Sequence, residues 1–330
     1  MFLLKKLLCT AILALGVIML MTVGAYAQMP KDKIALQGED SFKAEMFNEF
    51  SDTIEDNALY VATTGSDSNT GTIDKPFATV QKALDTVKAG QTIYVRGGTY
   101  NALNTFKTSG SEGKYITLRN YPNETPFLTC TTGTDGAILH LNGCNYIKIY
   151  GLEIGGHSAG KAYGILLDDC ENHIVISNNH IHNLLTTKPG EHENGEANGI
   201  LLFGEGKTDE TSINNICIEN NNIHNNTTGW SETLSTSGNC KYVNVINNTV
   251  HDNTNIGIDF YGKAKYCTVP AYDQPRYCVA AGNTVYNSIC SYAECAGLYL
   301  DGARDTIFEN NIIYGSMYGI EIGSEELQAD

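Results

Sequence analysis

Four carboxylates near the end of the chain lie in three segments of one design. NIGIDFYG from 255, AGLYLDG from 296 and YGIEIGSE from 318 each run glycine, apolar residue, variable residue, apolar residue. Strand alternation turns Ile258, Phe260, Leu298, Leu300, Ile320 and Ile322 to one face. It turns Asp259, Tyr261, Tyr299, Asp301 and Glu321 to the other. With adjacent strands about 4.8 Å apart, Asp259 and Glu321 stand about 9–10 Å apart at the backbone, with Asp301 diagonally between. Carboxylates at such separations could act as acid and base, or acid and nucleophile, on a glycosidic bond. Alternatively Asp259, Asp301, Glu321 and Glu325 could hold calcium through oxygen ligands. That ion would neutralise a uronate carboxyl and acidify the neighbouring C–H for β-elimination. Elimination also needs a base, for which His251, Lys263, Lys265 and Arg304 are nearby in sequence. The bland alternative is that solvent-facing strands of an acidic protein simply carry acids.

Other groups could take part. His182, His224 and His251 fall at one position of successive repeats, followed by Tyr286 and Tyr314. Three imidazoles could bind zinc if their nitrogens converged, but a stack of rings that accepts tyrosine needs no metal. His251 could serve as a general base, with only the turn Asp252–Asn255 separating it from Asp259. Trp230, the single tryptophan, sits beside Glu232; the pair could make a sugar-stacking platform with a polar anchor, or Trp230 could pack a loop. Two insertions, 184–198 and 263–278, could wall a groove, since binding residues concentrate on loops carried by a rigid scaffold. Tyr266, Tyr272 and Tyr277 of the second could contact sugar rings. GSDSNTG from 65 is too short and irregular for a calcium loop.

The elements that must position these groups repeat. ISNNHIHN at 176, IENNNIHN at 218, VINNTVHD at 245, AAGNTVYN at 280 and FENNIIYG at 308 align Asn179, Asn221, Asn248, Asn283 and Asn311 in one column. Between them recur YGILLDD at 163, NGILLFG at 198, SETLSTSG at 231 and the three acidic segments. Each run is short, alternating and bounded by Gly or Asn, as strands are. Such strands bury a core only when stacked coil on coil. The pattern predicts an all-β, right-handed parallel β-helix with inward asparagines bonded from coil to coil. IYGLEI at 149 fits the register with Leu152 in the asparagine place, so the coils start before 140. In the outward column Leu166, Leu201 and Ser235 precede Asp259, Tyr299 and Glu321, so that face turns acidic toward the later coils.

The ends differ. Residues 1–27 carry Lys5 and Lys6, an apolar run and Ala25-Tyr26-Ala27, the marks of a secretory signal peptide; an uncleaved membrane anchor is the rival. Either takes the protein out of the cytoplasm, to the medium, the periplasm or the cell surface. Residues 28–57 form a polar lead-in, and 58–330 one β-helix domain, with a cap over about 58–100 and coils over about 101–325. Phe77, Val80, Ala83, Leu84 and Val87 make one helical face that could cap the first coil, with Gly90 as a C-cap glycine. The last repeat has no capping element, so a partner could cover it; otherwise a monomer is expected. The formal charge of −16 becomes −18 when residues 1–27, with two lysines and no acid, are removed. Such acidity excludes the basic footprint of a nucleic-acid binder. Of ten cysteines, Cys267 with Cys278 and Cys290 with Cys295 could close loops in an oxidising compartment.

Residues 59–180 resemble the opening of secreted family-nine pectate lyases. The likeness is carried by GSDSNTGTIDKPFATVQKAL, GQTIYVRGGTY and GKYITLRNYPNETP. The resemblance implies a pectate-lyase-like solenoid acting on an extracellular polysaccharide. That family's catalytic lysine and Asp-Asp-Gly calcium motif are unmatched; NIGIDFYGK from 255 is nearest, with one aspartate, so no catalytic residue is carried over. Three readings follow. The leading one is a polysaccharide lyase of the pectate or uronate type. A glycoside hydrolase or uronate epimerase using Asp259, Asp301 and Glu321 is the second, and a non-catalytic glycan-binding protein the third. Trp230, Glu232, Tyr261, Tyr299, Lys263 and Arg304 are the expected substrate contacts.

Overall fold

The computed structural model describes residues 35–45, 53–169, 171–191 and 195–325. The expected signal peptide, 1–27, lies outside these residues. No described helix is long and apolar enough to cross a membrane. The repeats wind into three parallel sheets, each strand pairing with its counterpart one coil away. A nine-stranded back sheet runs from Leu59–Val61 to Ile307–Glu309. An eight-stranded sheet from Gly98–Asn101 to Ile312–Tyr314, the histidine sheet, carries the expected ring column. The third, the groove sheet, runs over eight strands from Asn104–Phe106 to Tyr318–Gly323. Isoleucine, leucine and valine from all three fill one continuous core.

The asparagine column is a hydrogen-bond ladder at the turn from the back sheet to the histidine sheet. Asn179 donates its backbone N–H and its Nδ2 to Asn221 Oδ1, at 2.9 and 3.0 Å. Asn221 does the same to Asn248, Asn248 to Asn283, and Asn283 to Asn311. Each amide also donates to a strand-end carbonyl, such as Ile218 O for Asn248. Leu152, in the asparagine place, gives only its backbone N–H, to Asn179 Oδ1. The doubled asparagines now have a reason. Asn178, Asn220, Asn247 and Asn310, which precede the ladder residues, sit at φ of 54–57°, a left-handed conformation that asparagine tolerates better than most residues. A second, shorter ladder that the repeats did not announce joins Leu184 N–H to Asn226, and Asn226 to Asn253.

The expected helix is only Val80–Leu84, N-capped by Thr79, whose side chain accepts from Lys82 N. Asp67 of the GSDSNTG loop accepts from Ala78 N, Thr79 N and Thr79 Oγ1, fixing the helix start. Phe77, Val80, Ala83, Leu84 and Val87 are all buried in the core. Gly90 is not the C-cap: Asp85 takes that place, and Gly90 occupies a later turn with φ +82°. Part of the lead-in has structure of its own. Residues 35–45 form a strap over the back sheet, with Phe42 buried against Val175, Cys217, Ile246, Val279 and Ala281. Gln37 and Asn244 exchange hydrogen bonds of 2.8 Å in both directions. In the last described coil the inward Ile320 and Ile322 stay 50% and 76% exposed.

Cys267 and Cys278 do not pair. Their sulfurs turn to different carbonyls, Gly206 O and Arg276 O. Cys290 and Cys295 do meet, with sulfurs 2.9 Å apart as free thiols.

Candidate active site: the acidic groove

The outward column of the groove sheet follows the anticipated register. Leu166 pairs with Leu201, Leu201 with Ser235, Ser235 with Asp259, Asp259 with Tyr299, and Tyr299 with Glu321. These residues floor a groove of about 880 Å³, within the range of ligand sites. Its walls come from three loops: Trp230–Glu232, the 263–278 insertion through Tyr266, and Ala293–Glu294. Asn198 donates Nδ2 to Glu232 O at 2.5 Å, and Asn255 donates Nδ2 to Trp230 O and Ser231 O at 3.0 and 3.1 Å. Two asparagines therefore fix the segment bearing Trp230 and Glu232. Trp230 packs its ring on Tyr292, 5.5 Å between centroids, and still lines the groove.

The floor is not the solvent-facing surface that alternation alone implies. Asp259 is 1% exposed and Asp301 2%, because the loops roof what would be an open strand face. Asp259 Oδ1 is buried without a hydrogen-bond partner, a costly state for an ionised carboxylate. Burial first, then Glu232 and Asp301, push the Asp259 carboxyl far above the usual carboxylate range. Part of Glu232 stays exposed, yet the protein packed around its carboxyl, with Glu325, Asp301 and Glu196 beyond, raises it to about 8. The burial of its charged end, rather than the exposure of its stem, governs its ionisation. Asp301 Oδ1 accepts the backbone N–H of Glu325 at 2.9 Å. Glu321 is raised by burial, then by Glu294 and Glu325. Tyr299 is likewise raised, by burial and then Asp301.

Asp259, Asp301, Glu321, Glu325, Trp230, Glu232, Tyr261 and Tyr299 are thus brought together in one groove. His251, Lys263 and Arg304 are not among its lining residues. The turn after His251 carries the chain from one sheet to another, so His251 lies on the histidine sheet while Asp259 lies on the groove sheet. There its ring stacks between His224 and Tyr286, at 4.8 and 4.7 Å. Lys263 donates to Pro270 O within its own loop, and Arg304 pairs with Asp305 over the Tyr277 ring. Tyr272 lies against Arg276 and Tyr277 against Tyr242, which leaves Tyr266 as the insertion's groove residue. Sequence reasoning missed Lys161, Tyr163, Asp168, Glu196 and Glu294, which also line the groove. Lys161 Nζ and Tyr163 Oη both donate to Glu196, at 3.1 and 2.7 Å. Alternation hid them: counted back from the outward Leu166, Lys161 and Tyr163 fall on the inward side with Ile165, but the strand breaks parity around Gly164 and puts Ala162 in the core instead.

Eight acids and one lysine line the groove, and that lysine is already paired. Two oxygens on one calcium lie no farther apart than about 5 Å. Among the described residues, the set of three metal-ligating side chains that converges within 4.8 Å is Glu153, His180 and His182. No three of Asp259, Asp301, Glu321 and Glu325 bring their ligand atoms within 4.8 Å of one another as they stand.

A family described as "Pel9A-like, right handed beta helix region" matches residues 59–315. The uncharacterized protein YwoF of Bacillus subtilis (strain 168) is 35% identical over 281 residues, 81% of this chain and 58% of YwoF. Pectate lyase PEL9 of Emericella nidulans is 30% identical over 175 residues, 48% of this chain and 37% of that enzyme. The chain therefore spans little over half the length of the first of these relatives and less of the second. Among solved structures, GH136 lacto-N-biosidase from Eubacterium ramulus (selenomethionine derivative) aligns with a TM-score of 0.50 at 14% identity. The alignment covers 79% of this chain and 56% of that one, a likeness of fold.

Proposed function

The chain belongs to the Pel9A-like right-handed β-helix family, and on that premise we propose that it is a carbohydrate-active enzyme that cleaves glycosidic bonds in its acidic groove. The observation that carries this reading is the placement of Glu232, Asp259 and Asp301 in one groove, with Asp259 buried and unpaired at Oδ1. A carboxyl held neutral near pH 7 is what a general acid requires, and an ionised neighbour supplies the base or nucleophile. Glu232 and Asp259 share the role of proton carrier, and Asp301, oriented by Glu325 N–H, stands beside them as base or nucleophile. Trp230 and Tyr266 offer ring faces to sugar. The negative lining repels polyuronates, so a neutral glycan is the favoured substrate class.

A second reading is elimination on a uronate, favoured by the match to a pectate lyase. The test is a panel of neutral and uronate glycans incubated with purified protein, with calcium or with chelator. New reducing ends on a neutral glycan, lost in Asp259→Asn and Asp301→Asn, support hydrolysis. Ultraviolet absorbance from an unsaturated uronate product, abolished by chelator, supports elimination and overturns hydrolysis. Unchanged glycans with retained binding would leave a binding protein.

A further inference from the structure

On the outer face of the histidine sheet, away from the groove, four ligand-type side chains from three successive coils converge. Glu153 opens the strand Glu153–Ala159, His180 and His182 lie on His180–Thr186, and His224 ends Asn222–His224. The register sets His180 opposite Glu153 and His182 opposite both Gly155 and His224. Ile181 and Ile223 between them point into the core, so all three histidines share the outer face. Gly155 presents no side chain, and Glu153 instead reaches diagonally, accepting from His182 Nε2 at 3.0 Å. The ligand atoms of Glu153, His180 and His182 all lie within 4.8 Å of one another. His180 Nε2 and His224 Nε2 stand 2.6 Å apart. At that distance one ring nitrogen donates and the other accepts, so a lone pair and a proton already occupy the space an ion would take.

We propose that Glu153, His180, His182 and His224 form a binding site for one divalent zinc-class ion, three imidazole nitrogens and a carboxylate oxygen clamping three coils together. Imidazole and carboxylate are zinc's ligands, at bond lengths near 2.0–2.2 Å, so two nitrogens on a tetrahedral ion stand about 3.3 Å apart. The His180–His224 pair therefore opens by less than about 1 Å, and the Glu153, His180 and His182 ligand atoms, within 4.8 Å of one another, draw in by up to about 1.5 Å. The site differs from the column that the sequence suggested. His180 stands outside that column, and His251 inside it is spoken for, its Nδ1 bonded to Asp252 Oδ2 and its Nε2 to Asn222 Oδ1. With both rings neutral, the proton between His180 and His224 moves to a ring Nδ1 as the ion takes Nε2, and no net proton is lost. The groove takes no part.

The test uses the untagged full chain, stripped with chelator. Zinc is titrated by calorimetry, and cobalt, as a coloured substitute, by visible absorption. The expected result is one zinc per chain, tetrahedral cobalt bands, and a thermal midpoint that rises with zinc concentration. The double variant His180→Asn/His182→Asn removes binding. Glu153→Gln, a change at one partly exposed side chain, weakens it by more than the roughly 10–100-fold typical of outer-sphere partners. His251→Asn leaves it unchanged. Absence of saturable binding overturns the proposal, as does equal binding by the double variant, which would assign the metal to thiols or groove acids. Should the double variant misfold by circular dichroism, Glu153→Gln against His251→Asn decides the matter.

Discussion

Glu232 offers a prediction that needs no substrate. Its carboxyl titrates at about 8 in the folded protein against 4.5 as the ordinary value. An acid raised on folding binds its proton more tightly in the native state, so between about pH 4.5 and 8 the unfolded chain has released a proton that the folded chain keeps. Folding is then progressively penalised as pH rises through that window, and the full penalty stands above pH 8. At about 1.4 kcal/mol per pH unit the window amounts to about 5 kcal/mol. Asp259 shares the same desolvation and the same mutual repulsion, so roughly 2–5 kcal/mol is the expectation. Glu232→Gln removes the titration while keeping the volume and a hydrogen-bonding amide. It is expected to raise the thermal midpoint at pH 9 by about 4–20 °C, at 2–4 °C per kcal/mol for a chain of this order. At pH 4.5 it should change it little. Thermal unfolding of wild type and variant from pH 4.5 to 9, followed by circular dichroism, reads this directly. A gain equal at both ends, or a loss at pH 9, would refute the account of a carboxyl held neutral by its surroundings.

Other outcomes follow from the same structure. Turnover should fall as pH rises through about 8, where Glu232 loses its proton, and Asp259→Asn should cut it by about 10²–10⁴-fold with glycan binding retained; a pH-rate profile and affinity electrophoresis check both. Asn248→Ala removes the acceptor of Asn221 N–H and a donor to Ile218 O inside the core, at about 1–3 kcal/mol each, so urea unfolding should show a loss of about 2–6 kcal/mol. Cys290 and Cys295, 2.9 Å apart, should lose two hydrogens on mild oxidation, seen by intact mass and abolished in Cys295→Ser, whereas Cys267 and Cys278 should remain thiols.

Much of this was legible because strands alternate with period two. Once Asn179 to Asn311 set the coil register, the outward column through Ser235, Asp259, Tyr299 and Glu321 followed by counting. Alternation fixes which side of a sheet a residue faces, but not what stands over that side. Asp259 and Asp301 were therefore placed outward and are nevertheless buried, since the Trp230–Glu232 segment and Tyr266 arrive from loops with no period. The corner angle between sheets is equally silent in a linear pattern. His251 lies eight residues from Asp259, yet Asp252 at φ +52° and Asn255 at φ +62° turn the chain onto another face. The strap at 35–45 carries no repeat to announce it: one buried ring, Phe42, and scattered polar contacts such as Gln37 with Asn244 hold it.

The asparagine ladder has a direction. From asparagine to asparagine every rung donates toward the next coil and accepts from the one before, so these links, unlike the amide bonds back to strand-end carbonyls, form a one-way relay with a beginning. At that beginning Leu152 offers no side-chain acceptor, and the strand register sets Pro126 one coil earlier opposite it. Proline has no N–H to donate, so no donor is stranded where the relay has no acceptor. A non-donor followed by a non-acceptor is the start codon of this ladder. Whole coils inserted after Leu152 would be read in frame if each brought an asparagine, and a proline at any later rung would break the relay.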